Sequence, residues 1–224
     1  LVGGLLLVWQ GVPQTFSENI VVETLEGTFQ VLATGPVAAL EIIKHLGTNG
    51  GGFFGANSST PMENPTILSN LIELYSMMLL PGACVITFGK MVGDGRRTHQ
   101  ESKKPEHALP AHREGMTARL FGAEGRSIFL AMSVLFVIGL SLCFWAESQG
   151  NPALAEAGLS QSMGSMEGKE VRFGVAQSAL FTTVTTSFTT GTINNMHDTL
   201  TPLGGLVPLL HMMLNCVFSG KGVG

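Results

Sequence analysis

Long apolar stretches separated by polar segments set the pattern of this chain. Two of them, residues 65–92 and 127–146, are long enough to cross a lipid bilayer, which takes about 20 residues of helix. The second stretch has twenty positions and no charged residue. Asn64 and Pro65 suit the cap and first turn of the earlier helix. The pattern therefore predicts an all-α polytopic membrane protein.

A short helix and a glycine run precede the first span. Apolar positions with helical spacing predict a helix over residues 36–46, and Gly47 suits its end. Residues 47–55, called filter 1 below, read GTNGGGFFG. Because glycine tolerates unusual backbone angles, successive carbonyl oxygens can point at one axis and replace the water shell of a cation. The order predicts a pore helix, a selectivity filter and a span. The candidate ion ligands are Thr48, Asn49, Gly50, Gly51 and Gly52.

The same order recurs in the second half of the chain. Residues 171–188 are apolar and hydroxyl-rich and predict a second pore helix, which leads into residues 189–192, called filter 2 below. The candidate ligands of filter 2 are Thr189, Thr190, Gly191 and Thr192. Residues 203–224 begin as an apolar helix pattern and end in a glycine-rich break. Because interrupted helices at membrane depth line cavities, Gly220, Lys221 and Gly222 are a predicted gate.

These elements divide the chain into two pore repeats, at residues 1–92 and 127–224, joined by a polar segment at 93–126. Residues 1–9 are apolar but too short to span a bilayer, so we interpret them as the tail of a longer helix. The second repeat runs from the span at 127–146 to the broken helix. Both repeats are interpreted as incomplete, and the chain as a fragment of a longer protein.

The charge distribution predicts how the chain crosses the membrane. Eight of the twelve lysines and arginines fall between Lys90 and Arg126. An excess of basic residues in a short loop marks the cytoplasmic side, so residues 93–126 are predicted to be a cytoplasmic loop. The acidic segments 13–35 and 147–170 are then external. The net charge of −4 argues against a nucleic-acid partner. Histidines within the basic loop are interpreted as solvated rather than metal-binding.

Two polar residues within the first span are candidates for function. Asn70 and Glu73 are three positions apart and share a helix face. An ionisable group within a span indicates a functional site. Pairing with a neighbouring helix, or a position near the lipid headgroups, explains Glu73 equally well, and the sequence leaves these interpretations open.

A nucleotide-dependent enzyme is the remote alternative. Gly50, Gly52 and Gly55 match a dinucleotide-binding fingerprint, and Glu73 follows about twenty residues later. That motif requires a preceding strand and a helix that begins inside it, whereas a helix pattern precedes this glycine run. No phosphate-binding loop of the GxxxxGK[ST] type occurs in the chain. We therefore expect no ATP hydrolysis by this chain itself.

Several short motifs carry a resemblance to a known family. They are GTNGGGFF at residues 47–54, ENPT at 63–66, GNP at 150–152, MEGKE-x-RFG at 166–174 and MHD at 196–198. Together they resemble the KdpA family, the potassium-binding subunits of the bacterial Kdp potassium-importing ATPase. The resemblance implies the fold of the potassium transporter superfamily, with four membrane–pore–membrane repeats around one pore. The chain would then hold the second repeat without its start, and most of the third.

The resemblance also implies a function and partners. The subunit would bind potassium and pass it into the bacterial plasma (inner) membrane, as the non-hydrolytic part of an ATP-driven importer. Three partners are implied: a KdpB-like P-type ATPase subunit that binds ATP and magnesium, a single-span KdpC-like subunit and a small KdpF-like peptide. Potassium is the only metal implied for this chain itself. A channel or symporter subunit of the same superfamily, driven by the ion gradient, remains the alternative.

Overall fold

The computed structural model describes residues 1–17, 19–101, 116–214 and 217–218. Helices dominate these ranges, and one small sheet lies near the start. The elements in chain order are α1 (Val2–Trp9), β1 (Ile20–Glu23), β2 (Phe29–Leu32), α2 (Val37–Leu46), α3 (Ile67–Glu101), α4 (Met116–Ser148), α5 (Pro152–Glu156), α6 (Gly174–Ser187), a 3-10 turn (His197–Thr199) and α7 (Pro202–Leu214). Each predicted filter therefore follows a short helix and precedes another helix.

Two helical stretches are long and apolar enough to cross a membrane, Ile67–Gly93 and Glu124–Glu156. The first has 27 residues, and at about 1.5 Å per residue it is about 40 Å long, more than the hydrocarbon core of a bilayer. One face of α4 is both apolar and exposed: Leu130, Val134, Val137 and Ile138. A bare apolar face of this kind suits contact with lipid.

Helix extends into the predicted loop at residues 93–126 from both ends. Helix α3 continues to Glu101 and α4 already begins at Met116, so residues 93–101 and 116–126 are helical. The loop was placed by its charge, but lysine, arginine and glutamate are good helix formers and are solvated equally well on a helix. The predicted span at 65–92 begins at Ile67, and Pro81 lies inside α3.

An antiparallel hairpin corrects the all-α prediction. Strands β1 and β2 pair so that Ile20 lies opposite Leu32 and Glu23 opposite Phe29. The turn between them includes Gly27 with a φ of 77°, a conformation that glycine adopts readily. The signal was a run of β-branched residues before a glycine turn. It was missed because residues 13–35 were considered only for their acidic charge.

Helix α6 lies at the centre of the molecule, against α3, α4 and α7. Its apolar contacts to α3 are made by Leu74, Met77, Phe181 and Val184. Its hydroxyls are buried as well, and several are satisfied by hydrogen bonds to the preceding turn of the helix. Thr183 Oγ1, for example, donates to the carbonyl of Ala179 at 2.8 Å. A helix can therefore be rich in threonine and still be buried.

Glycines allow α3 and α4 to meet backbone to backbone. A Cβ atom at Gly89 would collide with the carbonyl of Phe121 and would lie 2.9 Å from Cα of Gly125. Gly122 departs from helical angles inside α4, with φ 65° and ψ 175°. Small residues at a helix seam permit this close approach, so a larger side chain at Gly89 would force the two helices apart.

Candidate functional site

Filter 1 is an irregular segment that begins where α2 ends. The amide of Asn49 still donates to the carbonyl of Lys44 at 3.0 Å, after which the backbone turns away. Gly51 and Gly52 have φ values of 96° and 120°, and Thr48 has a φ of 51°. Glycine is favoured at such angles because L-residues meet their own carbonyl there. The two glycines are therefore required by the backbone itself.

Filter 2 has the same kind of backbone with fewer glycines. Thr189 and Gly191 have φ values of 55° and 75°, and the amide of Thr190 donates to the carbonyl of Thr185 at 2.8 Å. Thr189, Thr190 and Thr192 are buried. The hydroxyls of Thr189 and Thr190 have no hydrogen-bond partner among the described residues. Buried hydroxyls without a partner are rare, so these two have hydrogen-bonding capacity that the described residues do not use.

The two filters lie against each other. A Cβ atom at Gly50 would lie 3.2 Å from the carbonyl oxygen of Gly191. Asn57, in the turn after filter 1, accepts two hydrogen bonds at its backbone carbonyl, from the amide of Ile193 and the hydroxyl of Thr192, both at 2.7 Å. Predicted ligands that are about 140 positions apart in sequence are thus neighbours in the fold.

Asn70 ties α3 to the second half of the chain. Its Oδ1 accepts from Nδ2 of Asn64 at 2.9 Å and from Nδ2 of Asn194 at 3.0 Å. Its Nδ2 donates to Oε1 of Gln177 at 2.9 Å. Every polar atom of this buried amide is therefore used. Asn70 holds the two halves together, and it has no polar atom left for an ion.

Glu73 faces the short helix α2. Its Oε2 lies 3.4 Å from Nε2 of His45, and both side chains are fully buried. Neither carboxylate oxygen of Glu73 has a hydrogen-bond partner among the described residues, so the proximity to His45 on α2 is the contact that the structure shows. Glu41, His45 and Glu73 are, within the described ranges, the group whose ligand atoms come close enough to hold a metal ion, all within 4.8 Å of one another.

A buried ionic cluster lies behind filter 1, and the sequence reasoning missed it. We define the ionic cluster as Glu41, Lys44, Ser58 and Glu63. Nζ of Lys44 lies 2.6 Å from Oε2 of Glu41 and donates to Oγ of Ser58 at 2.7 Å. Glu63 accepts from the amide of Ser58 at 3.0 Å. The available signal was an acid and a base three positions apart within an otherwise apolar helix.

His197, in the MHD motif, lies in the 3-10 turn after filter 2. Burial lowers its pKa to about 4; the nearby Asp198 opposes this shift and Lys169 adds to it. Its imidazole is therefore neutral at neutral pH. His197 thus adds no positive charge beside filter 2.

The predicted gate at Gly220, Lys221 and Gly222 lies outside the described residues. The side chains of His99, His107 and His112 in the basic segment also lie outside them. The dinucleotide-binding interpretation is not supported, because helix α2 rather than a strand precedes the glycine run and turns follow it.

Comparisons with known proteins identify the family of this chain. The family model described as KdpA, potassium-transporting ATPase A subunit, matches residues 1–224. The chain is 53% identical over 224 residues to the potassium-transporting ATPase potassium-binding subunit of Staphylococcus haemolyticus (strain JCSC1435), and covers 36% of it. It is 52% identical over 221 residues to subunit 1 of the same name from Staphylococcus aureus (strain MRSA252), with 98% of the chain and 35% of the relative covered.

The chain thus spans about a third of the length of the curated relatives it matches. The family model nonetheless covers the chain from its first residue to its last. It includes both filters, the ionic cluster and the two long helices. The chain therefore belongs to the KdpA family of potassium-transporting ATPase A subunits.

Proposed function

We propose that the protein containing this chain is the potassium-binding subunit of an ATP-driven, high-affinity potassium importer. The observation that carries the proposal is the contact between the two filters, where Gly50 lies against the carbonyl of Gly191. Two irregular segments that each follow a short helix meet at one place, as the walls of a common pore must. Membership of the KdpA family supports the same function.

Potassium would be held by backbone oxygens and threonine hydroxyls from both filters. Thr48, Asn49, Gly50 and Gly52 are the proposed ligands from filter 1, and Gly51, whose carbonyl accepts from Nζ of Lys44 at 3.3 Å, would complete the filter backbone. Thr189, Thr190, Gly191 and Thr192 are those from filter 2. An ion that enters must lose its water, and closely placed oxygens compensate for that loss. The buried, unpartnered hydroxyls of Thr189 and Thr190 support this role, since nothing else described satisfies them.

The energy for transport would come from a partner. The sequence lacks a phosphate-binding loop, and the relatives are named as subunits of a potassium-transporting ATPase. We therefore propose a KdpB-like P-type ATPase subunit that binds ATP and magnesium, together with a KdpC-like single-span subunit and a KdpF-like peptide. The complex would lie in the bacterial plasma membrane, which the two long apolar helices and the exposed apolar face of α4 support.

The domain assignment and topology remain part of this proposal. Residues 1–92 would belong to the second pore repeat and residues 127–224 to the third. Residues 93–126 would face the cytoplasm, while residues 13–35, which include the hairpin, and residues 147–170, which include α5, would be external. Gly220–Gly222 would form a gate on the cytoplasmic side of filter 2.

Purification of the full-length protein from cells that also express its neighbouring genes tests the function. We expect co-purification with a P-type ATPase subunit, and ATP hydrolysis that potassium stimulates. Thr190→Ala should weaken the potassium dependence only moderately, because the backbone carbonyl survives the change. Potassium uptake that persists without an ATPase partner and follows the ion gradient would contradict the proposal and favour a channel or symporter.

A further inference from the structure

Lys44 is the member of the ionic cluster that touches the backbone of filter 1. Its ammonium donates to the carbonyl oxygen of Gly51 at 3.3 Å. We propose that Lys44 is a positioning residue for ion selectivity: a tethered internal cation that sets the orientation of the Gly51–Gly52 peptide and thereby the dimensions of the filter. The inference rests on the proposed potassium-binding function. It assigns to Lys44 the role of holding the backbone of filter 1 in place.

The donor capacity of Lys44 is fully used. An ammonium group has three donors and no acceptor, and Lys44 has three partners: Oε2 of Glu41 at 2.6 Å, Oγ of Ser58 at 2.7 Å and the carbonyl of Gly51. The side chain is 4% exposed. A buried ammonium with three fixed acceptors has one preferred position. The carbonyl that it binds is therefore held as well.

The other side of the same residue is also held. The amide of Gly51 donates to Oδ1 of Asn57, so the amide and the carbonyl of this one glycine both bond to side chains. The Cβ position of Gly51, in contrast, faces open space, with no atom within 4 Å. Hydrogen bonds thus hold both polar atoms of the Gly51 backbone, while its Cβ position is open. This arrangement fixes a backbone that would otherwise rotate freely.

The ionic cluster also forms the wall against which Gly52 lies. A Cβ atom at Gly52 would be 2.6 Å from Oε1 of Glu41, 2.7 Å from Oε1 of Glu63 and 3.2 Å from Nζ of Lys44. Glu63 is held in place by the amides of Phe54 and Ser58, at 3.3 and 3.0 Å. The filter backbone is therefore shaped by a rigid charged surface rather than by apolar packing.

Charge balance explains why a lysine can occupy this place beside a cation filter. The carboxylates of Glu41 and Glu63 flank the ammonium, so the cluster presents no net positive charge to an incoming ion. The same ammonium argues against a resident metal at Glu41, His45 and Glu73. It already supplies the positive charge that Glu41 requires, at 2.6 Å.

The experiment compares two matched pairs of substitutions in the full-length complex. Lys44→Met combined with Glu41→Gln removes the tether but leaves the net charge unchanged, and it avoids leaving Glu41 as a buried carboxylate without its ion-pair partner. The control is Lys169→Met with Glu147→Gln, which removes another fully buried pair, 2.7 Å apart. The measurements are potassium-stimulated ATPase activity and the ratio of half-saturating concentrations for rubidium and potassium.

We expect the Lys44 pair to raise the half-saturating potassium concentration on the order of tenfold, the effect of losing one charge-assisted hydrogen bond, and to lower the rubidium-to-potassium ratio. The Lys169 pair should leave the ratio at the wild-type value. An unchanged ratio in an active Lys44 variant would overturn the proposal, and so would an equal change in both variants.

A second variant keeps the test decisive if the Lys44 pair fails to assemble. Asn57→Ala removes the side-chain acceptor of the Gly51 amide, so it should also lower the rubidium-to-potassium ratio; a wild-type ratio would again overturn the proposal. A wild-type complex without potassium-dependent ATPase activity would instead refute the proposed function. The two failures are therefore distinguishable.

Discussion

Alanine substitutions at the two left-handed glycines of filter 1 should have very different effects. Both have φ values that L-residues avoid, 96° at Gly51 and 120° at Gly52, so each change costs about 1–2 kcal/mol in backbone strain. At Gly51 the new methyl group meets no atom within 4 Å. At Gly52 it would lie 2.6 Å from Glu41 and 2.7 Å from Glu63, and overpacking of this kind adds about 1–3 kcal/mol.

The expected total is therefore about 1–2 kcal/mol for Gly51→Ala and about 2–5 kcal/mol for Gly52→Ala. Since about 1.4 kcal/mol corresponds to tenfold in affinity, Gly51→Ala should raise the half-saturating potassium concentration roughly tenfold in a complex that still assembles. Gly52→Ala should displace the two carboxylates and reduce the yield of assembled complex as well.

The assay is the thermal midpoint of the detergent-purified complex, followed by potassium-stimulated ATPase activity. Gly55→Ala is the matched control, because Gly55 has a φ of 65° and open space at its Cβ position; it reports backbone strain alone. A Gly52→Ala complex with the thermal midpoint of the Gly55→Ala complex would show that the carboxylates do not form the wall described above.

Three further predictions concern the pore and its topology. Gly51→Asp adds a strong ligand that discriminates poorly between ions. Rubidium or sodium should therefore compete better with potassium in uptake assays on cells that lack other potassium importers. An unchanged ion ranking in a well-expressed variant would contradict the role of filter 1 as the selectivity filter. Single cysteines at Ser102 and Ser160, in a background without native cysteines, should be labelled from opposite sides of the membrane; labelling of both by an impermeant reagent in intact cells would refute the topology. Alanine at Gly220 and Gly222 favours continuous helix by up to about 1 kcal/mol per site, so transport should change while ion ranking stays, and unaltered transport would remove the motivation for a gate.

Short-range signals predicted the helices well. The apolar spacing between Pro36 and Gly47 gave α2 as Val37–Leu46, one residue from its predicted start. Residues 171–188 contain α6, which runs from Gly174 to Ser187. These elements follow from local spacing and from glycine and proline at helix ends. The helix ends within the basic segment could not be predicted in this way. Charged residues indicate exposure to solvent, but they do not by themselves end a helix.

Most contacts that build the site could not be predicted from spacing. The Glu41–Lys44 pair, three positions apart, could have been, whereas the contacts of Lys44 and Glu63 with the backbone at Gly51 and Phe54 could not. Asn57 lies in the turn after filter 1, yet its carbonyl accepts from Thr192, 135 positions later. Such contacts depend on how the two halves of the chain pack together. The local spacing of residues within one half does not indicate which residues of the other half it will contact.

The different surroundings of the two filters have an electrical consequence. Filter 1 is backed by full charges in the ionic cluster. Thr192 of filter 2 contacts hydroxyl and carbonyl dipoles at Ser58 and Asn57. In a pore with fourfold symmetry the field on the axis is equal from every side, whereas here paired charges lie behind filter 1 and the described contacts of Thr192 in filter 2 are to dipoles. The two filters would therefore impose different fields on an ion in the proposed pore, and because the ionic cluster is buried, bulk salt would screen its contribution only weakly.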